Sequence, residues 1–121
     1  MECSNLVNQT HVLREVLNAS ARSYEIYGFL KSEIILFNEL TSPSLVIPSI
    51  HRVENILSEY MFDALETEKY VEYRNNGLEV FVLVPLNTMG KAHETLRGCA
   101  DWIQSWWFEN KSVKFGRPEK P

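Results

Sequence analysis

Apolar positions change their spacing several times along this chain, and each change marks an element. The clearest stretch is Leu78-Glu79-Val80-Phe81-Val82-Leu83-Val84-Pro85, in which six of eight residues are large and apolar, with Gly77 before it and Pro85 closing it. Such a run predicts a strand buried on both faces, and so a sheet with layers above and below it. Upstream, Leu6, Val12, Leu13, Val16 and Leu17 recur at helical spacing and predict an amphipathic helix over 5–20, with Asn5 as its cap. Over 23–30 the period shortens to two, with Tyr24, Ile26 and Gly28 alternating with Glu25, Tyr27 and Phe29, which predicts a strand. Residues 33–38 predict its hairpin partner, and 45–47 a short third strand ended by Pro48.

Ile50, Val53, Leu57, Tyr60, Ala64 and Val71 then return to helical spacing. They predict one long helix over 50–75, capped by Ser49 and stopped at Asn75-Asn76-Gly77. After the central strand, 88–97 predicts a helix ended by Gly98. Ala100–Phe108 is open to a continued helix or a strand, with Gly98 and its β-forming composition favouring the strand; 109–111 then predicts a tight turn, 112–115 an edge strand and 117–121 a flexible tail. The order is α-β-β-β-α-β-α-β-β. Strand 78–85, helix 88–97 and strand 100–107 make a β-α-β unit with parallel strands, whereas the first three strands are joined by turns and run antiparallel. The fold class expected is α/β, three-layer, with a mixed sheet flanked by helices.

At 121 residues the chain suits a single domain, 1–121, and 45% hydrophobic with 23% charged residues is enough for one core without staples. Two cysteines, Cys3 and Cys99, make no disulfide framework and favour a reducing, cytoplasmic setting. No apolar run approaches the ~18 residues of a membrane span, and the first twenty residues lack a signal pattern, so no membrane role is expected. The net charge of −4 is uneven: 1–86 hold six basic and twelve acidic groups, and 87–121 hold six basic and four acidic groups. Affinity of the whole chain for phosphate backbones is thereby disfavoured, while a local basic surface near the C-terminus remains.

The element order, with Lys69-Tyr70-Val71-Glu72-Tyr73 leading through Gly77 to Leu78-Glu79-Val80 and the exit Val82-Leu83-Val84-Pro85, resembles the restriction-endonuclease-like core of the PD-(D/E)XK nucleases. In that superfamily a helix precedes a β-meander, followed by a long helix and a βαβ-like end. The resemblance covers about 20–108 and implies an Asp on the second strand and Asp/Glu-x-Lys on the third, together holding Mg²⁺. The predicted second strand ends Phe37-Asn38-Glu39 and the third is Leu45-Val46-Ile47. Neither carries the motif. Glu39 is a possible remnant, and Glu54, on the predicted long helix, a displaced ligand. One Glu-x-Lys occurs, at Glu109 and Lys111, but in a predicted turn.

Other chemistry is sparse. His11, His51 and His93 have no ligand spacing, so no metal site and no cofactor is expected, with Mg²⁺ entering only under the nuclease alternative. Met89-Gly90-Lys91 opens a helix after the central strand and makes Lys91 the candidate for a small anion or phosphometabolite. Trp102, Trp106, Trp107 and Phe108, followed by Lys111, Lys114 and Arg117, suit either core packing, a homodimer interface or base stacking with phosphate neutralisation. The function expected is a non-catalytic restriction-endonuclease-like domain acting as an interaction module. Its partner is itself or another protein, through the aromatic strands. The alternatives are a nucleic-acid binder or divergent nuclease, and a small-anion binder.

Overall fold

The run bounded by Gly77 and Pro85 is a strand, β4 (Glu79–Pro85), in a computed structural model that describes residues 2–39, 42–59 and 67–121. Val80 to Val84 are buried without exception, since strands flank β4 on both sides and helices cover both faces. Its companions are β1 (Ile35–Phe37), β2 (Ser44–Ile47), β3 (Arg52–Ile56), β5 (Trp102–Glu109) and β6 (Ser112–Phe115). The six strands lie in chain order, β1-β2-β3-β4-β5-β6. β3, β4 and β5 are mutually parallel, while β1–β2, β2–β3 and β5–β6 are antiparallel pairs.

The parallel steps carry α2 (Glu68–Asn75) and α3 (Met89–Thr95). Both steps move the same way across the sheet, so right-handed crossovers place both helices on one face. The opposite face packs on α1 (Glu2–Ile26). The core is split accordingly. Leu13, Val16, Leu17, Ala21 and Tyr24 of α1 meet Leu45, Ile47, Ile56, Phe81, Leu83 and Trp106. Across the sheet, Tyr70, Ala92 and Leu96 meet Val53, Val80, Val82, Val84 and Ile103. This is a mixed α/β sheet between helical layers.

Two predicted elements are corrected. Residues 23–26 continue α1 rather than forming a strand, and no 23–30/33–38 hairpin exists. Leu13, Val16, Leu17, Ser20, Ala21 and Tyr24 form one buried helical stripe, and the short alternation at 24–28 is its tail. The helix then ends in a Schellman motif: the Gly28 N–H donates to the Glu25 carbonyl and the Phe29 N–H to the Tyr24 carbonyl. Gly28 takes a φ of 109°, and Phe29 packs edge-on against Tyr24, the apolar contact that accompanies this cap.

The long helix predicted over 50–75 is also divided. Pro48–Ile50 is a 3-10 turn, His51 is left-handed with φ 52°, and Arg52–Ile56 is β3. Residues 60–66 of the predicted helix lie outside the described residues, and helix is found over Glu68–Asn75. The physical reason is that Glu54 and Asn55 are both buried with hydrogen-bond partners. A strand with polar residues facing inward on each side loses its alternation and mimics a helical stripe. The meander therefore comprises β1, β2 and β3, one element later than predicted, while the overall string of elements is unchanged. The stop at Asn76-Gly77 is a second Schellman motif, with Gly77 N–H on Arg74 and Leu78 N–H on Tyr73.

The segment predicted as a tail turns back along β5. Gly116 N–H donates to Ser105, and Glu119 exchanges both backbone hydrogen bonds with Ile103. Two residues separate Gly116 from Glu119 where β5 has one between its partners, so Arg117-Pro118 forms a bulge. Among the described residues no helix is long and apolar enough to cross a membrane.

Candidate functional site

The resemblance requires Asp/Glu-x-Lys on the third strand, and the third strand reads Glu54-Asn55-Ile56. Glu54 was expected on a helix and stands instead on β3, facing α1. It is 3% exposed, and both carboxylate oxygens are taken: Ser20 Oγ donates to Oε1 at 2.5 Å, and the Tyr24 hydroxyl donates to Oε2. Burial raises its pKa above the carboxylate range, against the opposing pull of the Ser20 and Tyr24 bonds and the Arg52 charge. Its neighbour on the second strand is Leu45, fully buried, where a second carboxylate would be needed. Glu39 follows β1, is exposed and lies beside Tyr73 on the opposite face, where its charge adds to burial in raising the Tyr73 pKa. The sheet separates the two carboxylates. Among the described residues no three His, Cys, Asp or Glu side chains gather as a metal site.

Glu54 instead begins a chain of polar contacts. The Tyr24 hydroxyl accepts from Arg52 Nη1 at 3.1 Å. Arg52 Nε and Nη2 donate to Glu79 Oε1 at 3.1 and 3.0 Å, and Trp102 Nε1 donates to Glu79 Oε2 at 3.2 Å. The order follows from register: Arg52 is beside Glu79, Glu54 beside Phe81, and Phe81 beside Trp102. The same register builds an aromatic stack, with the Arg52 guanidinium 4.4 Å from the Phe81 ring centre, Phe81 stacked on Trp102, and Lys120 above Trp102. This row opens at the amino-terminal ends of the parallel strands.

Beside it lies a cavity of about 670 Å³ between the end of α1 and the sheet. Tyr24, Phe29, Phe81 and Phe115 supply aromatic wall, and Arg52 and Arg117 supply charge. A second cavity of about 660 Å³ lies past Glu79. There Asp101 accepts the Val80 N–H at 2.7 Å and faces Arg74 at 3.5 Å, which ties α2 to the strand ends.

The α2/α3 face has its own polar centre. Asn55, 1% exposed, donates to Ser42 and Ser44 Oγ and accepts from the Tyr70 hydroxyl at 2.6 Å. Every donor and acceptor is spent internally, so the cluster reads as the joint between α2 and the meander. Burial raises the Tyr70 pKa, in keeping with a hydroxyl kept as a donor.

The predicted basic residues are dispersed. Lys91 is on α3, on one side of the sheet. Lys111 sits in the β5–β6 turn beside α1 residues Glu15 and Arg22. Lys114 is opposite Trp107 on β6, and Arg117 lines the α1-side cavity. α3 has only seven residues and follows a 3-10 turn at Leu86–Thr88, so Met89-Gly90-Lys91 opens a short helix rather than a long dipole.

The predicted aromatic interface is divided too. Trp106 is 7% exposed and donates from Nε1 to the Leu57 carbonyl at 3.3 Å. Trp102 belongs to the Glu79 contact. Trp107 points to the other face, and Phe108 is exposed with its ring edge-on to Trp106. The large exposed apolar side chains cluster elsewhere. Ile35, Leu36 and Phe37, the whole of β1, are 43%, 38% and 47% exposed, and Ile26, Tyr27 and Leu30 stand exposed on the approach to it.

Arg52, Tyr24 and Glu79 escape the sequence reading because they lie in three elements, 27 and 28 residues apart along the chain. Pairing between strands brings them together, and no local spacing signals it. No family model, no curated protein and no solved structure matches this chain.

Proposed function

We propose that this chain is a non-catalytic, restriction-endonuclease-like domain that acts as an interaction module and associates with a second copy of itself through β1. The observation that carries this reading is the exposed edge Ile35-Leu36-Phe37. An edge strand presents a row of unpaired backbone donors and acceptors, and this one has no charge, proline or bulge to deter pairing. Antiparallel pairing across a two-fold axis is self-complementary: Leu36 of both copies meets on one face, and Ile35 with Phe37 on the other. The partner surface thus moves from the aromatic C-terminal strands to the opposite edge, because Trp106 is committed to the core.

The family likeness is supported by the helix before the β1–β2–β3 meander and the βαβ end from β4 to β5. The lack of catalysis is supported by Glu54-Asn55-Ile56 on the third strand, with the carboxylate closed in by Ser20 and Tyr24. A nucleic-acid reading has less support, since the net charge is −4 and the basic residues are scattered.

Sedimentation velocity over a wide concentration range tests the proposal. The expected result is a concentration-dependent dimer that Leu36→Lys converts to monomer. A strict monomer at all concentrations, or a dimer indifferent to Leu36→Lys and Phe37→Lys, overturns it.

A further inference from the structure

Arg52 has more hydrogen-bonding capacity than the fold uses. A guanidinium carries five N–H donors. Among the described residues three are engaged, by Glu79 twice and Tyr24 once, leaving one on each terminal nitrogen. The side chain is 28% exposed and borders the α1-side cavity. Three groups hold it in place: Glu79 along one side, Tyr24 at one terminal nitrogen, and the Phe81 ring beneath. Its orientation is therefore fixed before any ligand arrives, which lowers the entropic cost of binding.

The same cavity is lined by Arg117, exposed and without an ion pair or hydrogen bond among the described residues. Its position is set by the Arg117-Pro118 bulge, pinned on each side by Gly116–Ser105 and Glu119–Ile103. The lining that the two cations share is partly aromatic, with half-buried Phe29 and Phe115. A volume of about 670 Å³ suits a small organic molecule.

The charge balance restricts the ligand further. Glu54 is part of the cavity lining, and Glu79 is bonded to Arg52. Arg52 is already committed in part to Glu79, and the Glu54 carboxyl is taken by Ser20 and Tyr24, so Arg117 is the cation that lines the cavity without a partner among the described residues. A dianion such as a phosphate monoester would bring two charges against that one unpartnered cation, with the Glu54 carboxyl also in the lining. A single carboxylate on a flat apolar body matches that one cation, the free N–H pair and the aromatic wall together.

We propose that this cavity binds a small aromatic monocarboxylate, its carboxylate between Arg52 and Arg117 and its ring against Phe29 and Phe115. The site lies on the α1 face, away from the β1 edge, and does not depend on self-association.

The test is calorimetric titration of the full chain with 2-naphthoate, alongside the uncharged 2-naphthalenemethanol and inorganic phosphate. Saturable one-to-one binding of 2-naphthoate is expected, with the alcohol at least about tenfold weaker and phosphate weaker still. Arg117→Ala, at an exposed position, should weaken 2-naphthoate about fivefold and leave the alcohol unchanged. Ser23→Trp, on the cavity wall, should abolish binding, while Leu36→Lys should bind like the parent. Absence of saturable binding, equal affinity for acid and alcohol, tighter binding of phosphate, or indifference to Arg117→Ala each overturns the proposal. Should Ser23→Trp fail to fold, the Arg117→Ala comparison decides alone.

Discussion

β1 and β6 are the two edges of one sheet, three and four residues long, and they meet solvent in different ways. β6 alternates Ser112 and Lys114 with Val113 and Phe115, so that one face joins the α1 core while the other carries polar groups. It begins at a tight turn in which Asn110 and Lys111 both take positive φ, and continues into the Arg117-Pro118 bulge. A charge, a bulge and a proline without an N–H all discourage a further strand. β1 has none of these. Its three residues are apolar and exposed on both faces. Among the described residues one edge is protected and the other is bare, and the bare edge is the one proposed above for a partner.

The sharpest contrast between the edges comes from removing an aromatic beside each. Trp106→Ala takes a buried side chain from the α1 core next to β6, and should cost about 3–5 kcal/mol in chemical denaturation. Phe37→Ala on β1 should cost the monomer less than about 0.5 kcal/mol and show its effect in association instead. Equal losses in monomer stability would erase the distinction between the two edges.

Next in size is Leu36→Lys, which should raise the dissociation constant of the proposed β1 dimer at least about tenfold, equivalent to about 1.4 kcal/mol, by equilibrium sedimentation. The centre of the sheet provides a control that neither edge should influence. The Glu54 pKa is raised by burial above the usual value of 4.5, so the folded chain holds its proton more tightly than the unfolded chain. The stabilisation is complete below the unfolded value and is lost as pH rises through the folded one. Glu54→Gln should flatten this decline in urea titrations run at increasing pH above 4.5, and the same flattening should appear in the Leu36→Lys background. The smallest effect belongs to Lys114→Leu. It strips the one charge from β6, yet association should change less than about twofold, because the bulge and Pro118 still block the edge. A marked gain in association would mean that Lys114 alone guards β6.

How far each part could be read from the chain depends on where its partners lie. β4 was legible because five consecutive buried apolar residues between Gly77 and Pro85 suit only a strand covered on both faces. The β5–β6 hairpin and α3 were legible for similar local reasons. β3 was not. Glu54 and Asn55 are polar, adjacent and both buried, and their partners Ser20, Tyr24 and Tyr70 are 34, 30 and 15 residues away. Inspection of 52–56 alone cannot distinguish that arrangement from a helix with a wet side. The end of α1 was misread for a related reason, since the buried stripe from Leu13 to Tyr24 becomes evident only once the sheet face that it covers is known.

The chain alone established an α/β fold with a mixed sheet, the β4–α3–β5–β6 end of it, and the stops at Gly77 and Pro85, because these rest on contacts within a few residues; the agreement of the full element string came from a false strand at 23–30 offsetting the missed β3. It also supplied every side chain of the α1-side cavity without showing that they meet. Tertiary structure decided which carboxylate is buried, which tryptophan is core, and which edge is bare. Register between parallel strands puts Arg52 beside Glu79 and Phe81 beside Trp102, and α1 closes over them. Those pairings are set by packing across the sheet, a distance that local periodicity does not span.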